Sequence, residues 1–201
     1  MRIISGLARG RKLAPPPAQE KSIRPTSDRA REALFNILGK HVTDANVLDL
    51  FAGTGALGLE SFSRNANCVV FVDNNRLAIK LIQKNIAICL KGLSGKNDFR
   101  IIKQDLIKGA PLKRLCKEYP HGFDLIFIDP PYSKNISSAT LKALNKSSLL
   151  THNGLLIVEE RYNVDLPSDF SHLILTDKRL YGETAFWIYQ KRPGNMTDTT
   201  L

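Results

Sequence analysis

The chain has 201 residues, 43% hydrophobic and 24% charged, and 29 Lys and Arg outweigh 19 Asp and Glu for a formal charge of +10. That length and apolar share support one domain with a sizeable core and exclude a solvated linker, and the lack of a membrane-length apolar run or an apolar leader points to a cytoplasmic protein. The basic excess points to a polyanionic partner such as nucleic acid, while Cys68, Cys89 and Cys116 lie far apart and the four histidines lack ligand spacing, so a reducing compartment and no metal are expected.

In chain order, the first thirteen residues hold Arg2, Arg9, Arg11 and Lys12 with no acid among them, placed around Gly6 and Gly10. This pattern predicts a short β-hairpin arm whose positive side grips phosphates; the competing reading is an edge hairpin whose charges only discourage aggregation. Residues 24 to 36 read as a cap and a helix, with Thr26 or Ser27 as N-cap and Ala30, Ala33, Leu34, Ile37 and Leu38 on the apolar side. The stretch from Asn46 to Ala52 is a strand that runs into Gly53-Thr54-Gly55-Ala56-Leu57-Gly58 and then a helix. Glycines at this spacing let backbone approach a ligand, and the second strand, Val69 to Asp73, ends in an acid suited to a ribose diol. Asp49, four residues before Gly53, is unhelpful beside a pyrophosphate and suits a ligand with cationic groups, which argues against a nicotinamide dinucleotide and for S-adenosylmethionine.

Leu77 to Leu90 has helical periodicity, and Phe99 to Ile102 alternates as a strand before Asp105, which on physical grounds reads as a helix N-cap or a loop acid. Residues 124 to 132, Asp-Leu-Ile-Phe-Ile-Asp-Pro-Pro-Tyr, describe a buried strand that stops at Asp129. Pro130 and Pro131 remove two backbone donors, so acceptors dominate this end: the Asp129 carboxylate and the Pro130 carbonyl, with Tyr132 beside them. Such an edge receives a planar amino group, although an acid before two prolines can also be only a turn. A helix from Ser138 to Leu144, a strand from Gly154 to Glu159 and an antiparallel pair around Tyr181-Gly182-Glu183 complete the sheet, and residues 191 to 201 form a polar tail.

Taken together, Asp49-x-Phe51-x-Gly53-x-Gly55-x-x-Gly58, Asp73, Asp105 and Asp129-Pro130-Pro131-Tyr132 resemble the motif series of class I methyltransferases that act on exocyclic amino groups. The opening residues 1 to 13 and the stretch Arg24-Pro25-Thr26-x-Asp28-Arg29-x-Arg31-Glu32-x-Leu34-Phe35-Asn36 narrow the resemblance to the bacterial family that methylates guanine 966 of 16S ribosomal RNA on N2. The resemblance implies an α/β, Rossmann-like fold: a mostly parallel seven-stranded sheet with an antiparallel last strand, helices on both faces and a small N-terminal β-hairpin arm. It divides the chain into an arm at 1–25, a methyltransferase domain at 26–190 and a flexible tail at 191–201.

It further implies S-adenosylmethionine held by Arg24, Thr26, Asp49, Phe51, Gly53, Thr54, Gly55, Gly58, Asp73, Asn74, Asp105, Leu106 and Asp129, with Asp129, Pro130, Pro131 and Tyr132 at the reacting amino group. The implied partner is 16S ribosomal RNA in the small subunit or an assembly intermediate, reached through Arg2, Arg9, Arg11 and Lys12 by a monomer. Two other classes share the motifs. A DNA adenine-N6 methyltransferase would need a target-recognition segment for which this chain has little room, and a non-catalytic RNA-binding protein would have no use for Asp129 and Gly55 in register.

Overall fold

A computed structural model of the chain describes residues 1–17, 27–94, 98–108, 111–131 and 135–192. The expectations at Arg24, Thr26 and Tyr132, the arm boundary at 25 and the tail beyond 192 lie outside the described residues.

The central elements alternate as strand and helix: β1 (Asn46–Leu50), α2 (Ala56–Ser63), β2 (Cys68–Asp73), α3 (Arg76–Leu90), β3 (Asp98–Lys103), α4 (Pro111–Glu118), β4 (Phe123–Ile128), α5 (Ile136–Asn145) and β5 (Leu150–Arg161). They are preceded by α1 (Asp28–Leu38) and followed by β6 (Leu173–Tyr181) and β7 (Thr184–Lys191). The strands form one sheet in the order β3-β2-β1-β4-β5-β7-β6. All pairings from β3 to β5 are parallel, and β7 runs antiparallel to both β5 and β6, so a single strand opposes the other six. This is the Rossmann-like arrangement that the resemblance implied.

The sequence dictates this order physically. Val47, Leu48 and Leu50 in β1, and Leu125 to Ile128 in β4, are buried on both sides because crossover helices cover both faces of a parallel sheet. One face packs on α1, α2 and α3 through Leu34, Leu59, Ile82, Val69 and Phe127; the other packs on α4 and α5 through Leu115, Leu141, Val70 and Ile126. Order reverses between β1 and β4: from β1 the chain steps to β2, and later returns to β4 on β1's other side. A crevice opens at such a point outside the carboxyl ends of the strands.

Two details of the sequence reading change. Ser27 is the N-cap of α1, its Oγ accepting from the Ala30 N–H at 3.1 Å, but the helix buries Ala30, Arg31, Leu34, Phe35 and Leu38 while Ala33 and Ile37 stay half-buried. The strand expected at Gly154 to Glu159 is longer, Leu150–Arg161, and β7 extends to Lys191, with the Arg192 N–H donating to His172 O.

The N-terminal segment forms the expected hairpin, short and irregular, and it is tied to the domain along its length. An antiparallel bridge joins Arg2 to Lys12, flanked by the Ile3 N–H to Arg11 O, the Gly10 N–H to Ile3 O and the Leu13 N–H to Met1 O, and the loop between them is stitched to the domain as well. Ile4 and Ser5 donate backbone N–H groups to the two carboxylate oxygens of Glu60 at 2.8 and 3.1 Å, and Leu7 and Ala8 donate to Ser63 O and Oγ. Gly6 crosses α2 with a positive φ of 81°, and a Cβ there would fall 1.6 Å from Ser63 O, so only glycine permits this crossing.

Candidate active site

The crevice is a cavity of about 940 Å³ that crosses the carboxyl ends of β2, β1, β4 and β5 and ends at the turn between β6 and β7. Its first side is built by the glycine turn. Gly53 and Gly55 take positive φ values of 56° and 77°, and even Phe51 lies at 60°, so the chain doubles back tightly after β1. The Asp73 carboxylate braces the turn, accepting the Gly53 N–H at 2.9 Å on one oxygen and the Asn75 N–H at 2.8 Å on the other. A carboxylate has about four acceptor positions, so Asp73 keeps capacity for a diol in the cavity.

Asp49 lines the same cavity although it is only 1% exposed. One of its oxygens accepts the Gly58 N–H at 3.0 Å in the first turn of α2, a stabilising position for negative charge. Burial nevertheless dominates and pushes its carboxyl up to about 8, with the Gly58 N–H opposing and Asp73 adding repulsion. Gly58 itself lies against β2, where a Cβ would come 2.4 Å from the Phe71 ring; its place in the motif serves helix packing.

On the far side, Asp129 follows β4 and its N–H reaches back to Leu50 O. Burial, then Glu159, Asp49 and Glu160 in that order, hold its carboxyl well above the ordinary value. Glu160 turns to the opposite face, accepting from Ser137 Oγ at 2.7 Å and from the Arg161 N–H at 2.9 Å. Asp49, Asp73, Asp129 and Glu159 therefore converge on a partly enclosed site. The repulsion adds to burial in raising the Asp49 and Asp129 carboxyls, and a cationic ligand in the cavity relieves it.

The family model described as "Conserved hypothetical protein 95" matches residues 1–190. The chain belongs to that family. It is 32% identical over 198 residues to the Ribosomal RNA small subunit methyltransferase D of Escherichia coli strain K12, covering 98% of this chain and 93% of that protein. It is 33% identical over 190 residues to the Haemophilus influenzae protein of the same name, covering 94% and 93%. A solved structure of a hypothetical protein from Thermus thermophilus superposes with a TM-score of 0.75 at 29% identity, covering 94% of this chain and 99% of that one.

In this member of the family the structure gathers Asp49, Phe51, Gly53, Thr54, Asp73, Asn74, Leu106, Asp129, Pro130 and Pro131 around one cavity. Gly55 and Gly58 shape the turn and the helix behind it. Asp105 lies outside the main cavity, beside a shallower depression lined by Lys103 and Gln104, and its Oδ1 accepts the Ile107 and Lys108 N–H groups; it closes the turn that lays Leu106 and Ile107 along the cavity. Sequence reasoning missed Asn75, Gln104 and Ile107 on that side, and Ser27, Glu159, Arg161 and residues 181 to 184 on the other. Asn75 carried a legible signal as the N-cap of α3, accepting the Leu77 N–H at 2.8 Å.

The four basic residues of the arm divide. Arg2, Arg9 and Lys12 are exposed. Arg11 instead caps the end of α3, its guanidinium donating to Ile88 O at 2.7 Å, to Cys89 O, and to Lys91 O at 2.5 Å. Carbonyls at a helix C-terminus lack intrahelical donors, and a cation there satisfies them. The backbone of the arm is tied in as well: Asn85 of α3, fully buried, accepts the Ala14 N–H at 2.7 Å and donates to Thr54 O at 2.9 Å.

Proposed function

We propose that this protein is an S-adenosylmethionine-dependent methyltransferase that modifies 16S ribosomal RNA on N2 of the guanine equivalent to position 966, acting in the cytoplasm on the small subunit or its assembly intermediate. The observation that carries the reading is the meeting, in one cavity, of the Asp73-braced glycine turn with Asp129, Pro130 and Pro131. The names of its relatives and their coverage of nearly the whole chain support the RNA substrate.

The residues present fit S-adenosylmethionine. Positive-φ glycines admit backbone close to a ligand, Asp73 retains acceptors for a ribose diol, Leu106 and Ile107 offer apolar contact for an adenine, and the raised carboxyls of Asp49 and Asp129 call for a cation. A phosphate-bearing dinucleotide would meet those same acids with the wrong sign. When bound, S-adenosylmethionine supplies a methyl group on a cationic sulfur.

The mechanism then follows from the target. The lone pair of guanine N2 is delocalised into the ring, so the amino group is a poor nucleophile and its outright deprotonation is costly near neutral pH. Asp129 and the Pro130 carbonyl accept its two hydrogens, draw the nitrogen toward sp3 character and aim its lone pair at the methyl carbon. With the methyl group supplied by the bound cofactor, positive charge would build on the guanine nitrogen, where Asp129 would stabilise it until a proton left to water. The prolines matter because neither has an N–H to compete for these acceptors.

Transfer of labelled methyl from S-adenosylmethionine to small subunits lacking the native modification tests this reading, with the product nucleoside identified by mass spectrometry. N2-methylguanosine at the equivalent of position 966 is the expected product. N6-methyladenine in a DNA control, or cofactor binding without transfer to any nucleic acid, refutes it.

A further inference from the structure

The cavity is wider than a cofactor site requires. Neighbouring strands stand about 4.8 Å apart, so the sheet serves as a ruler along the crevice. The cofactor-type contacts occupy the ends of β2 and β1, and Asp129 marks the end of β4. The lining then continues over β5, β7 and β6 through Glu159, Arg161, Thr184 and Tyr181.

These residues share one face. Along β5, Glu159 and Arg161 alternate in step with Ile157, which packs in the core on the side of α1, α2 and α3. Arg161 pairs with Thr184 across β5 and β7, Thr184 pairs with Tyr181 across β7 and β6, and the Tyr181 ring lies 6.0 Å from that of Phe186. The result is a wall that begins at the buried carboxyl of Glu159, 4% exposed, and runs outward to the exposed Arg161.

The order of groups on this wall matches one base. With guanine N2 at Asp129, the next group along the edge is the N1–H donor, then the O6 acceptor and, around the corner, the N7 acceptor. Ile128 pairs with Val158, so Asp129 and Glu159 leave β4 and β5 side by side, and Arg161 follows on the same face two residues on; side chains converging from these positions reach N1–H at Glu159 and then O6 and N7 at Arg161. Resting on the function proposed above, we propose that Glu159 and Arg161 are the residues that select guanine, Glu159 accepting N1–H and Arg161 donating to O6 and N7. Adenine in the same place would oppose its N1 lone pair to a carboxylate and its amino hydrogens to the guanidinium, leaving Arg161 only N7 to contact. A guanidinium fork across O6 and N7 is also the commonest specific arginine–guanine contact.

The test uses small subunits reconstituted with 16S RNA that carries guanine, 2-aminopurine or 7-deazaguanine at the target position, and compares kcat/KM for the wild type, Arg161→Met and Glu159→Ala. 2-Aminopurine keeps the N2 amino group but lacks N1–H and O6; 7-deazaguanine lacks only N7. The wild type should prefer guanine over 2-aminopurine by about tenfold or more, the discrimination expected of one bidentate pair, and should lose rate with 7-deazaguanine. In Arg161→Met the guanine to 7-deazaguanine ratio should collapse toward one and the guanine to 2-aminopurine ratio should fall to the part that Glu159 supplies, and in Glu159→Ala the guanine to 2-aminopurine ratio should also fall. If Glu159→Ala does not fold, the Arg161 ratios decide. A wild type indifferent among the three bases, or an Arg161→Met that loses rate equally on all and keeps both ratios, overturns the selection proposal while leaving the proposed function intact. A wild type that methylates no guanine overturns both.

Discussion

Asp49 carries two jobs that conflict. Its carboxylate supports the first turn of α2 through Gly58, yet burial pushes it up to about 8, so near neutral pH it keeps its proton. A cation beside it favours the ionised form. Cofactor affinity should therefore rise with pH toward 8, and binding near pH 7 should expel protons; calorimetry in buffers of different ionisation enthalpy measures the number, which Asp49→Asn should reduce. Stability has the opposite sign. The folded value lies above the ordinary value of 3.8, so this group's contribution is fully present below about pH 4 and lost as pH rises toward 8. Cofactor-free protein should thus lose stability over that window by thermal or denaturant unfolding, and an equal slope in Asp49→Asn would assign the effect elsewhere. Replacing Asp129 with Ala should abolish methyl transfer but change cofactor affinity only a few fold, whereas parallel loss of both would make Asp129 a cofactor or structural residue. Asp49, Asp73 and Asp129 are legible in the sequence because an acid at the end of an apolar strand breaks the pattern. Glu159 gives the same signal, but the pattern alone makes it the strand's last residue with no role, and β5 in fact runs on to Arg161.

The arm and α1 obey rules that periodicity does not record. Arg31 is fully buried, donating to Arg2 O and to Asp28 at 3.1 Å, with Glu60 at 3.9 Å. Burial lowers its pKa while Glu60 and then Asp28 oppose the shift. Glu60 also accepts the arm's Ile4 and Ser5 N–H groups and pairs with Arg64 at 2.9 Å, so one carboxylate joins arm, α1 and α2. Its removal would leave the buried Arg31 only Asp28 and the Arg2 carbonyl, and take the acceptor from two backbone donors. Glu60→Ala should cost about 3–5 kcal/mol of unfolding free energy in denaturant titrations; a loss under about 1 kcal/mol would mean the cluster is readily hydrated. A buried arginine is invisible in the sequence because its partner Glu60 lies far along the chain, and Ala33 and Ile37, the apolar choices, yield the inner face to it. The same distance effect hides the true role of Arg11, whose carbonyl partners lie 77 to 80 positions on.

At the scale of the whole molecule, the sheet order and its single opposing strand are readable, since alternating strand and helix patterns leave few right-handed solutions and a short 181 to 184 connection forces an antiparallel pair. The net charge of +10 is readable as well, but not how the basic residues divide between surface and structure. If Arg2, Arg9 and Lys12 each contact a phosphate, changing all three to Ala should flatten the slope of log affinity against log salt by about two to three. Arg11→Ala should instead lower the melting temperature and leave that slope alone. An unchanged slope in the triple variant would remove the arm from the RNA surface. The stitching of the arm also has a temporal side. Residues 1 to 14 emerge before the rest of the domain during synthesis, but their partners are Glu60, Ser63, Asn85 and the carbonyls of 88 to 91. The arm must wait for α1, α2 and α3 to be made, and a basic, unseated segment is what the growing chain presents to its surroundings until α3 is complete.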